Sequence, residues 1–166
     1  VLLDSPLLIG QLRNWRFDVA GVPHRIAYWP GPAATSFDTL AFVGGIQRIV
    51  REAIRLFERA PYRDYSFLMR DDAYGALEHA NSVTLGVPSA ELAKDPASSF
   101  EEIAHEYFHA WNLVRIRPAE YGDLDYRASP RSAGLWWSEG VTMYYADILL
   151  RRAGLPVEDS TRRAHL

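Results

Sequence analysis

The spacing of apolar and polar positions divides the chain into short strands and longer helices. Short apolar runs with partial alternation, separated by turn residues, predict strands at Leu7–Ile9, Trp15–Val19 and Arg25–Trp29. Two further runs, Tyr65–Met69 and Ser82–Val87, also predict strands. Together these runs predict a small sheet.

The first helical pattern extends from Ser36 to Arg59. Apolar residues recur there at three- and four-residue spacing, which places them on one face of a helix. The pattern continues through Gly44 and Gly45, and Pro61 ends it. We therefore expect a long amphipathic helix that packs on the sheet.

Two more helices follow in the second half of the chain. The first has Ser98 or Ser99 as its N-cap and is expected to stop before Pro118. The second is predicted from Trp137 to Ala153, and Trp136 and Trp137 are interpreted as core anchors beneath it. The order of strands and helices predicts an α+β fold, with a small mixed sheet packed on helices.

Composition narrows the possible partners. The chain has 166 residues, 48% of them hydrophobic, which suffices for a folded core. Its net charge of −3 gives no reason to expect nucleic acid or an anionic membrane as partner. No apolar stretch approaches the roughly 18 residues of a membrane span. With no cysteine, any metal must be held by His, Asp or Glu, and the cellular compartment stays open.

The most informative motif is H-E-x-x-H, at His105-Glu106-Tyr107-Phe108-His109. Two histidines four residues apart share one helical face, so both imidazoles can bind one Zn²⁺. Glu106 then lies close enough to act as the general base towards the attacking water. Because the pentapeptide also occurs by chance in helices that bind nothing, a catalytic zinc requires a third protein ligand.

One known continuation places a glycine and a third histidine downstream of the motif. Asn112 and Arg115 occupy those positions here, so this arrangement is excluded. Asn112 itself is interpreted either as a partner for a zinc-bound imidazole or as an ordinary surface residue. The remaining downstream candidates for the third ligand are all carboxylates: Glu120, Asp123, Asp125, Glu139, Asp147, Glu158 and Asp159.

Glu139 is the preferred third ligand among these carboxylates. It lies early in the second helix, beside Trp136 and Trp137, where a carboxylate is costly to desolvate unless a cation compensates. The alternative is a first-turn glutamate that the helix dipole stabilises. The set His105, His109 and Glu139 would leave a fourth position open for water.

Several segments resemble the glycyl aminopeptidase family, metallopeptidase family sixty-one, a branch of the thermolysin-like gluzincins. The segments are residues 4–10, 21–27, 75–82, 105–112 and 136–145, in the family's order. The resemblance implies a thermolysin-like zincin subdomain whose His105, His109 and Glu139 bind zinc and whose Glu106 is catalytic. It also implies an aminopeptidase that favours N-terminal glycine or alanine.

The resemblance further implies a substrate site formed by Gly75, Ala76 and Glu78, in which Glu78 binds the free α-amine. Members often have glycine at the position of Ala76. His79 is expected to be structural or exposed, and His24 and His165 are expected to be uninvolved. Two other functions remain open: a zinc endopeptidase, which the free-amine role of Glu78 argues against, and a non-catalytic zinc-binding module.

The family's architecture predicts two domains in this chain. Residues 1–32 are expected to end an N-terminal β domain, and residues 33–166 to form part of the catalytic domain. Both ends look cut, so we expect a fragment of a protein that also has a C-terminal PDZ domain. Because the oxyanion donor is expected beyond residue 166, the fragment should turn over weakly or not at all.

Overall fold

The computed structural model describes residues 5–121 and 132–157. The part of the chain that it describes contains five strands and four α-helices. A 3₁₀ turn, Ala119–Tyr121, lies between the last two helices. The elements in chain order are β1 Arg13–Val19, β2 Val22–Trp29, α1 Thr39–Phe57, β3 Tyr65–Arg70, β4 Ala76–Glu78, β5 Ser82–Gly86, α2 Ser89–Lys94, α3 Phe100–Phe108 and α4 Leu135–Arg152.

The strands form one mixed sheet in the order β1-β2-β3-β5-β4. The β1–β2 and β4–β5 pairs are antiparallel, whereas β2–β3 and β3–β5 are parallel. The predicted α+β class with a small mixed sheet is confirmed. The same sheet extends across residue 32, and the division into two domains at that position stays a prediction.

The core lies between one face of the sheet and helices α1 and α3. Tyr65, Phe67 and Met69 alternate along β3 and are buried on that face. The ring of Tyr107 from α3 packs against Tyr65 and Phe67, with centroids 5.1 and 5.6 Å away. This packing places the helix that carries H-E-x-x-H directly on the central strand.

Apart from Leu7–Ile9, the predicted helices and strands agree with the structure in type but differ at several ends. Asp38 caps α1 by accepting a hydrogen bond from the amide of Ala41, so the helix begins later than Ser36. Ser99 occupies the N-cap position of α3, but its side chain makes no capping hydrogen bond. Helix α3 ends at Phe108, well before Pro118.

Two interpretations of apolar segments are wrong. Leu7–Ile9 is not a strand, and the side chains of Leu7 and Ile9 are each 86% exposed. Trp136 and Trp137 are 73% and 52% exposed, so they are not core anchors. In both segments apolar character alone suggested burial, although the fold presents these side chains at the surface.

Among the described residues, no helix is both long enough and apolar enough to cross a bilayer.

Candidate metal centre

The two histidines of the motif converge at the end of α3. His105 lies in the last turn, and His109 is the C-cap residue, whose backbone is still helical at φ −60° and ψ −18°. The i, i+4 relation is therefore preserved although the helix is shorter than predicted. Their Nε2 atoms lie 3.1 Å apart.

A backbone carbonyl sets the orientation of His109. Its Nδ1 lies 2.8 Å from the carbonyl oxygen of Asn112, and a carbonyl can only accept, so Nδ1 is the donor. In the neutral ring, Nε2 is then unprotonated, with its lone pair directed towards His105 and α4. The side chain of His109 is only 3% exposed, which holds this orientation by packing as well.

Glu139 on α4 completes a triangle with the two imidazoles. Its Oε2 lies 3.2 Å from Nε2 of His105 and 3.5 Å from Nε2 of His109. Tetrahedral ligands at zinc bond lengths are about 3.3 Å from one another. The three donor atoms thus have the spacing of one face of a zinc tetrahedron, and the residues present fit this metal.

The fourth side of the centre is open to solvent. The side chain of Glu139 is 46% exposed and that of His105 is 20% exposed. A two-histidine, one-carboxylate set with an accessible fourth position is typical of catalytic zinc and differs from closed structural sites. The geometry therefore leaves room for a water molecule or a substrate carbonyl.

Two of the other carboxylate candidates, Glu120 and Asp147, lie among the described residues and are not placed at this centre. Donor groups found among the described residues include neither Glu120 nor Asp147. Glu120 lies in the 3₁₀ turn and is exposed. The remaining four candidates lie outside the described residues: Asp123, Asp125, Glu158 and Asp159.

A second cluster of possible ligands overlaps the first. Donor atoms of Glu78, Glu106 and His109 lie within 4.8 Å of one another. Since His109 has only one ring nitrogen left for a metal, the two clusters cannot both use it. The cluster with His105 has two imidazoles at tetrahedral spacing, so Glu78 and Glu106 are better described as carboxylates lining the same cleft.

Glu106 is half-buried, and burial is the main cause that raises its pKa to about 8. The negative charges of Glu78, Glu102 and Glu139 raise this pKa further. A dication at the neighbouring centre would act in the opposite direction, because it stabilises the carboxylate. A carboxyl group with a pKa near neutrality can both accept and return a proton.

Of the predicted substrate residues, Glu78 lies near the centre, whereas Gly75 and Ala76 line a separate cavity on the far part of β4. Glu78 is the last residue of β4, which is an edge strand of the sheet. Its carboxylate lies near that of Glu106. Gly75 has φ +78°, a left-handed conformation that glycine adopts without strain, immediately before β4 begins. Ala76 pairs with Leu85 and is half-buried. A cavity of about 430 Å³ next to Glu106 is also lined by Glu102.

The predictions for the other histidines agree with their surroundings where the structure describes them. His24 is buried, and its ring nitrogens lie near the carbonyl of Val22 and the hydroxyl of Tyr62. Burial lowers the pKa of His24 below its ordinary value. His79 is also buried, at 9% exposure. His165 lies outside the described residues.

Around the centre, Ser138 and Thr142 were not assigned from the sequence, and two interpretations of Asn112 were left open. Asn112 is 4% exposed, which excludes the surface interpretation. Its amide donates to the carbonyl of Ser138 at 2.8 Å and to the hydroxyl of Thr142 at 3.0 Å. Thr142 lies three residues after Glu139, and this helical spacing was the available signal for it.

The fold matches that of a thermolysin-like aminopeptidase N-terminal domain. Residues 99–165 match the M61 glycyl aminopeptidase family. The chain is also similar to an aminopeptidase N family protein from Idiomarina loihiensis, with 28% identity and a TM-score of 0.80. The predicted resemblance to this family is confirmed by the match over residues 99–165 and by the similarity of the fold to that of the Idiomarina protein.

The structural similarity extends over most of this chain but only part of its relatives. The comparison with the Idiomarina protein covers 92% of this chain and 27% of that one. An M1 zinc metallopeptidase from Deinococcus radiodurans shares the fold at 22% identity and a TM-score of 0.59, with 89% of this chain and 30% of that one covered. A search of curated protein sequences finds no match.

Proposed function

We propose that this chain forms the zinc-binding part of an aminopeptidase that hydrolyses the N-terminal peptide bond of its substrate. The observation that supports this most strongly is the triangle of donor atoms from His105, His109 and Glu139, with edges of 3.1, 3.2 and 3.5 Å. The family resemblance around these residues supports the same reaction class.

In this proposal His105, His109 and Glu139 hold the ion, which when bound supplies Lewis-acid polarisation of the scissile carbonyl and the attacking water. Glu106 takes the proton from that water and returns it to the leaving amine. Its position beside the open side of the centre supports this role.

Glu78 is proposed to bind the free α-amine of the substrate. Its carboxylate lies within reach of both Glu106 and His109, so an ammonium group paired with it would hold the first peptide bond at the centre. Gly75 and Ala76 would approach the substrate backbone along β4. The preference for small N-terminal residues, glycine or alanine, comes from the family resemblance and stays a prediction.

The zinc site is tested by elemental analysis of the chain purified without chelator. We expect about one zinc ion per chain, and a large loss in Glu139→Ala, because the site then lacks one of its three protein ligands. Glu120→Ala is the matched control, since this exposed carboxylate is not part of the centre. Equal zinc content in the wild type and Glu139→Ala would contradict the assignment.

The substrate class is tested with an alanyl amide that has a free amine and its N-acetylated counterpart. An aminopeptidase prefers the free amine, and Glu78→Gln should abolish this preference because it removes the pairing charge while keeping the shape. Equal hydrolysis of the two compounds by the wild type would favour the endopeptidase. Zinc binding without any hydrolysis, also in a longer protein that contains the chain, would favour a binding module.

Two further expectations belong to the proposal. Because the comparison covers only 27% of the Idiomarina protein, the 166-residue chain by itself is expected to bind zinc and to turn over weakly or not at all. A C-terminal PDZ domain in the parent protein is inferred from the family resemblance alone.

A further inference from the structure

We propose that Asn112 is a positioning residue, which holds the ring of His109 and the helix that carries Glu139 at the separation the metal requires. This inference rests on the proposed function, because it concerns the same centre. Asn112 contacts neither the substrate cleft nor the donor atoms of the triangle. It acts through the two ligands on either side of it.

The first half of this role belongs to the backbone of Asn112. Its carbonyl accepts from Nδ1 of His109 at 2.8 Å. This hydrogen bond selects the tautomer with a free Nε2 and limits rotation of the ring. The acceptor comes three residues after the histidine it orients, so its position depends on the turn that follows α3.

The second half belongs to the side chain of Asn112. Its Nδ2 donates to the carbonyl of Ser138 and to the hydroxyl of Thr142 on α4. Ser138 immediately precedes Glu139, and Thr142 lies almost one turn after it, so the two acceptors flank the carboxylate ligand. Because the amide is buried, loss of these partners would leave a polar group unsatisfied.

Thr142 contributes to both halves. Its Oγ1 accepts from Asn112 at 3.0 Å and also lies 3.4 Å from Nδ1 of His109. All three residues are buried, so water does not compete for these hydrogen bonds. One connected set of polar contacts thus links a ligand of α3 with the helix of the other ligand.

The backbone after Asn112 adds independent support. Leu113 has φ +117°, a conformation that is strained for a residue with a side chain. The strained turn is held by hydrogen bonds from the amide of Leu113 to the carbonyl of Ile116, at 2.8 Å, and from Val114 to His109, at 3.1 Å. Such strain persists only where surrounding contacts require a particular backbone path, and here that path presents the Asn112 carbonyl to His109.

A purely structural Asn112 would make a different prediction. If its contacts served only to pack α3 on α4, any substitution that weakens the fold equally would weaken metal binding equally. Leu149→Ala provides this comparison, because Leu149 is a fully buried α4 residue two turns beyond Thr142. Its substitution creates a cavity without touching the polar contacts.

The experiment uses the 166-residue chain and compares the wild type with Asn112→Ala, Thr142→Val, Thr142→Ser and Leu149→Ala. Zinc affinity is measured by competition with a chromophoric chelator. The coordination geometry is followed by the visible absorption spectrum of the Co²⁺-substituted protein. The free energy of unfolding is measured by urea denaturation with chelator present. We expect Asn112→Ala and Thr142→Val to lose roughly 10- to 100-fold in zinc affinity and to change the cobalt spectrum. Thr142→Ser, which keeps the hydroxyl, should resemble the wild type.

Each outcome decides the inference. If Leu149→Ala loses stability but keeps its zinc affinity and cobalt spectrum, the effect of Asn112 is specific to the metal. If zinc affinity falls in proportion to stability in all variants, or if Thr142→Val equals Thr142→Ser, the positioning role is wrong while the zinc site stands. A wild type that binds neither ion would overturn this inference and the proposed function together. Should Asn112→Ala not fold, the two Thr142 variants decide alone.

Discussion

Glu106 shows how one carboxyl group acquires an unusual chemistry from its neighbours. It lies between His105 and His109 in the chain, and the carboxylates of Glu78 and Glu139 approach it from β4 and α4. Burial and these like charges make the neutral acid easier to form than in water. A cation in the centre would reverse this effect, so the state of Glu106 depends on occupancy of the site.

This position leads to a prediction for Glu106→Gln. The amide cannot accept the proton of the attacking water, so hydrolysis per zinc-loaded chain should fall by roughly 100- to 10,000-fold. Zinc content should not fall, because Glu106 is outside the donor triangle. Initial rates on an alanyl amide, measured with a longer protein that contains the chain, and elemental analysis measure the two quantities. A variant with near-normal turnover would show that another group is the base.

The contact between α1 and α3 depends on the absence of a side chain at Gly45. A Cβ atom on Gly45 would lie 2.0 Å from the ring of Phe100, which is the first residue of α3. Gly44, its neighbour in the same helix, has no atom within 4 Å of the equivalent position. The two adjacent glycines therefore differ: Gly45 permits the close approach of α3, whereas no contact with the described residues requires glycine at position 44.

The pair predicts opposite effects on stability. Gly45→Ala forces Phe100 to move in a packed core, and we expect it to lower the free energy of unfolding by about 1–3 kcal/mol. Gly44→Ala replaces a helix-interior glycine without a clash and should raise the free energy of unfolding by roughly 0.5–1 kcal/mol. Urea denaturation with chelator present measures both. Similar effects from the two substitutions would show that Phe100 adapts without cost.

At the scale of the whole molecule, the candidate metal centre lies between two helices that are distant in sequence. The segment 109–134 separates α3 from α4, and their packing brings the ligands together. An ion that binds both helices stabilises the folded chain, because the unfolded chain does not present the same arrangement.

Zinc should therefore stabilise the entire domain. At a free concentration 100 times the dissociation constant, the free energy of unfolding should rise by about 2.7 kcal/mol. Glu139→Ala should show little of this increase at the same concentration, since its affinity is lower. Urea titrations with buffered zinc and with chelator give the comparison. An equal increase in the variant would place the stabilising ion elsewhere.

Sequence patterns predicted the type and position of single strands and helices better than the burial of their side chains. The strands Tyr65–Met69 and Ser82–Val87 and the long helix before Pro61 correspond to β3, β5 and α1 within a few residues. Helix α2 was missed because Ser89–Lys94 is too short to show periodicity. The burial of Trp136 and Trp137 was predicted wrongly, because apolar character does not reveal which side of a helix has a partner.

The sequence by itself determined the chemistry that this chain can carry. The i, i+4 histidines, the absence of cysteine and the residues around Glu139 are local properties, and they suffice to predict the donor types. Tertiary structure alone decided the donor spacing, the approach of Glu78 and the hydrogen bonds of Asn112. Those distances join separate elements, so they depend on strand order and helix packing, which no local pattern of residues specifies.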